Sequence, residues 1–176
     1  MGLSQDLQKG IVDRLRSLPI AGSAVLVGRT LSDLARAVAS LALVLGIGVL
    51  VGFRPDQPVA RVVAALALVV GFAYVFSWIS ASIGLWLRDP ETVQSAGLAW
   101  VFPLTFASSA FVPTDSMPAA VAAFANVNPI TLCVDAARAL MIGGDATVPL
   151  LGTLAWFVGL MAVFAPLAIR RYRTLA

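Results

Sequence analysis

This sequence has no histidine, one cysteine (Cys133) and one lysine (Lys9) among its 176 residues. The first absence removes imidazole acid–base catalysis. With the lone thiol it also removes a His or Cys metal cage and an internal disulfide framework. Charge is scarce too, at 12% of residues, about half the fraction of a soluble globule. No GxxxxGK[ST] phosphate loop occurs, since Lys9-Gly10 and Gly143-Gly144 each lack the rest of that pattern. No basic run exceeds Arg170-Arg171, so a net charge of +3 does not point to nucleic acid. The expectation is a chain with no catalytic residue, no metal ligand and no cofactor.

What remains is 60% apolar, with a mean hydropathy of +0.93. Such a chain cannot clothe itself in polar surface, so lipid must cover much of it. Charge at bilayer depth is costly, and the stretches free of it are residues 37–53, 62–87, 92–114 and 146–169. They predict an all-α fold, a polytopic membrane helix bundle with four spans at about 30–53, 60–87, 92–112 and 147–169. Arg36 snorkels at the start of the first. A fifth apolar stretch is interrupted by Pro118, Asn126, Asn128 and Pro129. It reads as outer re-entrant or interfacial helices over about 115–142 rather than as a crossing.

The first twenty residues carry Asp6, Lys9, Asp13, Arg14 and Arg16 with no apolar core, unlike a signal peptide. With the amino end inside, the inner side collects Lys9, Arg14, Arg16, Arg29, Arg36, Arg88, Arg170, Arg171 and Arg173, against Arg54, Arg61 and Arg138 outside. That asymmetry predicts a multi-pass plasma-membrane protein with both termini cytoplasmic. The chain divides into a cytoplasmic amphipathic segment (1–22), a membrane domain (23–169) and a cytoplasmic tail (170–176).

Leu3, Leu7, Ile11, Leu15 and Leu18 recur at helical spacing before Pro19 and Gly22. Periodicity alone favours a helix lying on the inner leaflet. Gly48 and Gly52 form a GxxxG, read as ordinary helix packing. Pro103 interrupts the third span, and the hydroxyls of Thr105, Ser108 and Ser109 stand ready to satisfy the backbone groups it frees, an arrangement suited to a pathway wall. Asp135 and Arg138 lie three apart on a helix, where they can pair.

Several segments then resemble one family. Gly10-Ile11-Val12-Asp13-Arg14-Leu15-Arg16-Ser17-Leu18-Pro19 with Val27-Gly28-Arg29-Thr30, then Leu87-Arg88-Asp89-Pro90-Glu91, Phe102-Pro103-Leu104-Thr105-Phe106, Ser109 through Pro113, and Asn128-Pro129-Ile130-Thr131 follow the order found in ABC type-2 exporter permeases of the daunorubicin-resistance (DrrB-like) kind from actinobacteria. Such permeases have six spans, the first two before the Gly10 segment. With Met1 nine residues ahead of Gly10, the chain is expected to correspond to spans three to six.

The resemblance implies a role for each part. The amphipathic segment, through Asp13, Arg14, Arg16 and Pro19, becomes the coupling helix for a separate ABC ATPase (nucleotide-binding) subunit. Pro103, Ser108 and Ser109 belong to the pathway. Pro113, Asn128, Pro129, Asp135 and Arg138 belong to outer re-entrant helices that close the exit. Two permease protomers, alike or different, meet around a shared route through membrane lipid. The substrate is a hydrophobic small molecule or lipid, giving efflux and multidrug or antibiotic resistance. The competing expectation is a four-helix membrane scaffold without transport. A self-contained small multidrug transporter is disfavoured by the lack of a mid-membrane carboxylate.

Overall fold

The computed structural model describes the backbone of residues 22–87 and 89–175. The expected coupling residues Asp13, Arg14, Arg16 and Pro19 lie outside the described residues. Among those described, the regular elements are helical: α1 (Gly22–Val51), α2 (Val59–Leu87), α3 (Pro90–Phe106), a 3-10 turn (Thr114–Ser116), α4 (Ala119–Val127), α5 (Pro129–Ile142) and α6 (Thr147–Leu175). This is an all-α membrane bundle.

α1 is apolar over Leu31–Val51, with none of that stretch buried inside the protein. Leu50 and Val51 are 88% and 83% exposed, as side chains facing lipid would be. Its end is fixed by Gly52 at φ +107, which lets the Gly52 N–H donate to the Val49 carbonyl (3.1 Å) and the Phe53 N–H to the Gly48 carbonyl (2.8 Å). That pair of bonds is a Schellman motif. Gly52 thus terminates the helix, and among the described residues nothing beyond its own chain neighbours lies within 4 Å of where its Cβ would stand.

α2 is apolar on every side, as a helix at the centre of a bundle must be, and it contacts α1, α3, α5 and α6. Trp78 and Leu85 pack on Ala168 of α6, while Leu68 packs on Cys133 and Ala136 of α5. Close approach is written into two glycines. A Cβ on Gly71 would sit 3.0 Å from the Phe157 ring, and one on Gly152 2.9 Å from Leu132. The Ser82 hydroxyl is shared between the carbonyls of Trp78 (2.9 Å) and Phe164 (3.2 Å), tying α2 to α6.

These contacts define two ends. One holds the start of α2, the start of α6 and the bent α4–α5 pair. The other holds the finishes of α2 and α6, where the Arg171 guanidinium lies 5.0 Å over the Trp86 ring. α6 runs on to Leu175, so the expected tail 170–176 begins as helix. α3 starts at the second end and finishes at the first, where the turn after it meets α5.

Three described helices are long and apolar enough to cross a membrane: Leu31–Val51, Val59–Leu87 and Thr147–Arg171. α3, expected over 92–112, stops at Phe106 and has 17 residues. At 1.5 Å per residue it is about 25 Å long, the lower limit for a crossing. α4 and α5 meet at a 73° bend across Asn128, as two short helices broken by an Asn-Pro turn.

α3 begins on an N-cap. Asp89 accepts hydrogen bonds from the Thr92 N–H (2.8 Å) and the Thr92 hydroxyl (2.6 Å), with Pro90 at the first helical position. The Thr92 hydroxyl, then its N–H, hold the Asp89 carboxyl below its ordinary value. A lowered folded pKa means the cap is intact above the unfolded aspartate value of about 3.9 and is lost as pH falls through the lowered one. The Thr92 amide resonance should therefore titrate with a midpoint below about 3.9, and Asp89→Ala should abolish that titration; NMR of the detergent-solubilised chain reads both.

Candidate functional site

α3 ends against α5, where Ser108, Ser109 and Asn128 are buried and its last carbonyls have little access to water. Three side chains supply what solvent cannot. The Asn128 amide, 2% exposed, donates to the carbonyls of Leu104 (2.7 Å) and Ala107 (2.9 Å). The Ser108 hydroxyl donates to the Thr105 carbonyl (2.6 Å) and accepts from the Ala110 N–H (3.2 Å). The Ser109 N–H donates to the Thr131 hydroxyl (3.2 Å). With those groups engaged sideways, the helix cannot continue to residue 112, which accounts for the shortened third span.

Asn128 serves both helices it joins, because its side-chain oxygen accepts from the Ile130 N–H (2.9 Å) as the N-cap of α5. One turn along, Thr131 meets Ser109. Next, the Ser109 hydroxyl donates to Asp135 (2.6 Å), and Arg138 reaches the same carboxylate oxygen at 3.2 Å. Asn128, Thr131, Asp135 and Arg138 thus form one polar stripe on α5, spaced three, four and three residues apart, laid along the turn that follows α3. The Arg138 side chain is 51% exposed, so its pairing contributes at most about 1 kcal/mol. The buried Asn128 and Ser109 bonds hold the junction.

The sequence candidates separate on this map. Ser108, Ser109, Asn128, Asp135 and Arg138 come together, with Pro129 buried beside them. Pro103 is exposed, one turn before α3 ends, and Pro113 only opens the 3-10 turn. The Thr105 hydroxyl bonds the Val101 carbonyl (2.8 Å) and Ser108 bonds that of Thr105, rather than the Ala99 carbonyl that Pro103 leaves free. The expectation that these hydroxyls satisfy the group freed by proline is corrected: they serve the helix end. Thr131 was missed as a partner, although its three-residue spacing from Asn128 was legible.

Below the junction lies a cavity of about 370 Å³ between α2, α3 and α6, walled by apolar side chains including Phe76, Trp100, Leu104, Trp156 and Phe164 and floored by Pro129. Phe76 and Trp100 stack at 5.3 Å. The Trp156 indole N–H donates to the Val127 carbonyl (3.0 Å) at the end of α4. Leu104 and Pro129 therefore belong to the cavity wall and flank the Asn128 bonds at once. Among the described residues no group of side chains has the composition of a metal site. The residues that line it present apolar and aromatic surface.

Comparison with known proteins adds the following. The family model for the ABC-2 type transporter matches residues 1–142. The daunorubicin resistance ABC transporter permease protein DrrB1 of Streptomyces coeruleorubidus is 37% identical over 171 residues, covering 97% of this chain. The probable doxorubicin resistance ABC transporter permease protein DrrC of Mycobacterium tuberculosis is 27% identical over 168 residues, 95% of this chain. The chain spans about 60% of the length of these curated relatives. No solved structure matches.

The junction yields a ranking. Asn128→Asp keeps the cap oxygen but loses the donor to two carbonyls, and should destabilise the chain by about 2–6 kcal/mol, since each stranded buried group costs roughly 1–3. Arg138→Ala should cost less than about 1 kcal/mol. Thermal unfolding of both variants in one detergent measures the difference.

Proposed function

Because the chain belongs to the ABC-2 type transporter family, we propose that it acts as the membrane-spanning permease subunit, in whole or in part, of an ATP-driven exporter of hydrophobic drugs, antibiotics or lipids. The observation that carries this reading is the family match, which runs without a break from the amphipathic segment to Ile142, the last residue of α5. The curated relatives, permease proteins named for daunorubicin and doxorubicin resistance, support the choice of cargo.

The chain does no chemistry in this scheme. A separate ABC ATPase binds and hydrolyses the nucleotide, and its movement reaches the permease through Asp13, Arg14, Arg16 and Pro19. A second permease protomer, identical or different, completes the assembly in the plasma membrane. α3 crosses with α1, α2 and α6, which leaves both termini in the cytoplasm. The turn at Ser108 and Ser109, with Pro103 before it, forms part of the pathway. The region from Pro113 through Asn128 and Pro129 to Asp135 and Arg138 closes the outer end. The ATP cycle need only favour one setting of that closure, with cargo binding the two settings unequally.

The test uses the permease with its ATPase in vesicles. Replacing Arg14 and Arg16 together by alanine should cut efflux at least tenfold, a loss of about 1.4 kcal/mol in coupling, while both subunits still co-purify and hydrolysis continues. Undiminished efflux would remove the coupling role. Reagent labelling of intact cells at a cysteine placed beside either terminus should fail, and labelling there would overturn the topology.

A further inference from the structure

α3 is held in two different ways along its length, and the change comes at Pro103. From Leu104 onward the chain is bonded to α5 and its cap. Asn128 donates to the carbonyls of Leu104 (2.7 Å) and Ala107 (2.9 Å), the Ser109 N–H donates to the Thr131 hydroxyl (3.2 Å), and the Ser109 hydroxyl donates to Asp135 (2.6 Å). Hydrogen bonds are directional, so this stretch keeps one setting against the α4–α5 pair.

Before Pro103 the attachment is apolar. α3 packs along α2 and touches the other described helices only sparsely. The Trp100 ring stacks on Phe76 at 5.3 Å, while the Ser95 hydroxyl bonds within its own helix, to the Glu91 carbonyl (3.0 Å). Space is left on the α2 side. Besides the cavity already described, a groove of about 240 Å³ separates Ser80 and Ile83 of α2 from Val93, Gly97 and Val101 of α3. A Cβ added to Gly97 would meet nothing within 4 Å. Apolar contacts are non-directional, so nothing in this stretch fixes the angle between α3 and α2.

The helix is also softened at the point where one kind of attachment gives way to the other. Pro103 has no N–H for the Ala99 carbonyl. The Thr105 hydroxyl bonds back to the Val101 carbonyl (2.8 Å), an arrangement that bends helices. Both features stand at the first residues that α5 holds.

We propose that α3 is a lever hinged at Pro103. Residues 104–109 move with α4 and α5 as one body, and residues 90–102 swing against α2, opening and closing the space between them. Asn128 is the positioning residue that fixes the far side of the hinge. The Phe102 ring stacks on Phe106 across the hinge at 5.4 Å, and ring pairs keep their contact over centroid separations of about 4.5–7 Å, so the stack tolerates the swing. Ser95 lies eight residues before Pro103, about 12 Å along the helix. A change of about 20° at the hinge, the size of a sharp proline kink, carries it roughly 4 Å.

As a movement used in export the lever rests on the exporter reading above; as a property of the chain it stands on the geometry of α3 alone. The experiment therefore has two arms. In the first, nitroxide pairs are placed in the full chain in nanodiscs, with Cys133 replaced by alanine and cysteines introduced at exposed positions. Ser95 paired with Val163 of α6 reports the lever, and Phe111 paired with Ile142 of α5 reports the clamped unit. The first pair should show distances spread over about 4 Å more than in Pro103→Ala, which restores the N–H and a good helix former. The second pair should be narrow and alike in both chains. Asn128→Asp should broaden the second pair; should that variant not fold, the Pro103→Ala comparison decides alone. In the second arm, the permease with its ATPase in vesicles, Pro103→Ala should cut efflux about tenfold, as changes at hinges reduce turnover.

Equal spreads for the first pair in the parent chain and Pro103→Ala would overturn the proposal. So would a second pair as broad as the first. Undiminished efflux by Pro103→Ala would overturn the lever's part in transport and leave the exporter reading intact. A parent chain without ATP-dependent efflux would sink that reading and leave the distance measurements to decide the hinge.

Discussion

A helix that ends buried against its neighbours leaves its last carbonyl oxygens in need of donors from the protein, and the polar architecture of this protein answers that constraint. α3 stops at Phe106; Asn128 and Ser108 donate to its last carbonyls, and Thr131 accepts from the Ser109 N–H that follows. The remedy has a structural price, since each donor must arrive from a fixed place. Asn128 must stand between two short helices, and those helices must bend by 73° to bring it there. The break in the backbone and the closure of the helix end are thus one feature.

Around that feature the protein is asymmetric. The α4–α5 end is rich in hydroxyls, amide and charge, while the interior below is carbon and ring. α2 carries both, since Leu68 supports α5 through Cys133 and Ala136, and Trp78 and Leu85 anchor α6. α1 stays at the edge with its apolar side chains turned outward. Polar bonds determine where the chain turns, and apolar contacts determine which helices stay together. Leu104 and Pro129 are where the two systems touch.

Much of this was legible beforehand. Charge-free stretches located α1, α2 and α6 because bilayer thickness sets helix length directly. The Asn128-Pro129 break was legible because proline cannot continue a helix and asparagine caps the next one. The end of α3 was not, because residues 107–112 are apolar enough to continue it. What stops them, besides Ser108 itself, is the pair Asn128 and Thr131 more than twenty residues further along, which no local pattern announces. Gly52 was ambiguous for a related reason: the same residue type serves a packing notch and a left-handed helix end, and only the backbone angle distinguishes them. The Trp100–Phe76 wall was hidden because its members come from different helices. The family resemblance, by contrast, was carried by motifs whose order survives without knowledge of contacts.

The shared hydroxyl of Ser82 bears on how such a bundle comes to exist. A ribosome delivers α2 long before α6, so during synthesis the central helix stands in lipid without the neighbour that will cover it. Its apolar character on all sides makes that wait tolerable, and its buried serine is provided for, with the Trp78 carbonyl one turn back as a temporary companion. When α6 arrives, the same hydroxyl leans toward Phe164 without giving up its first contact. α6 can dock on α2 without breaking a hydrogen bond.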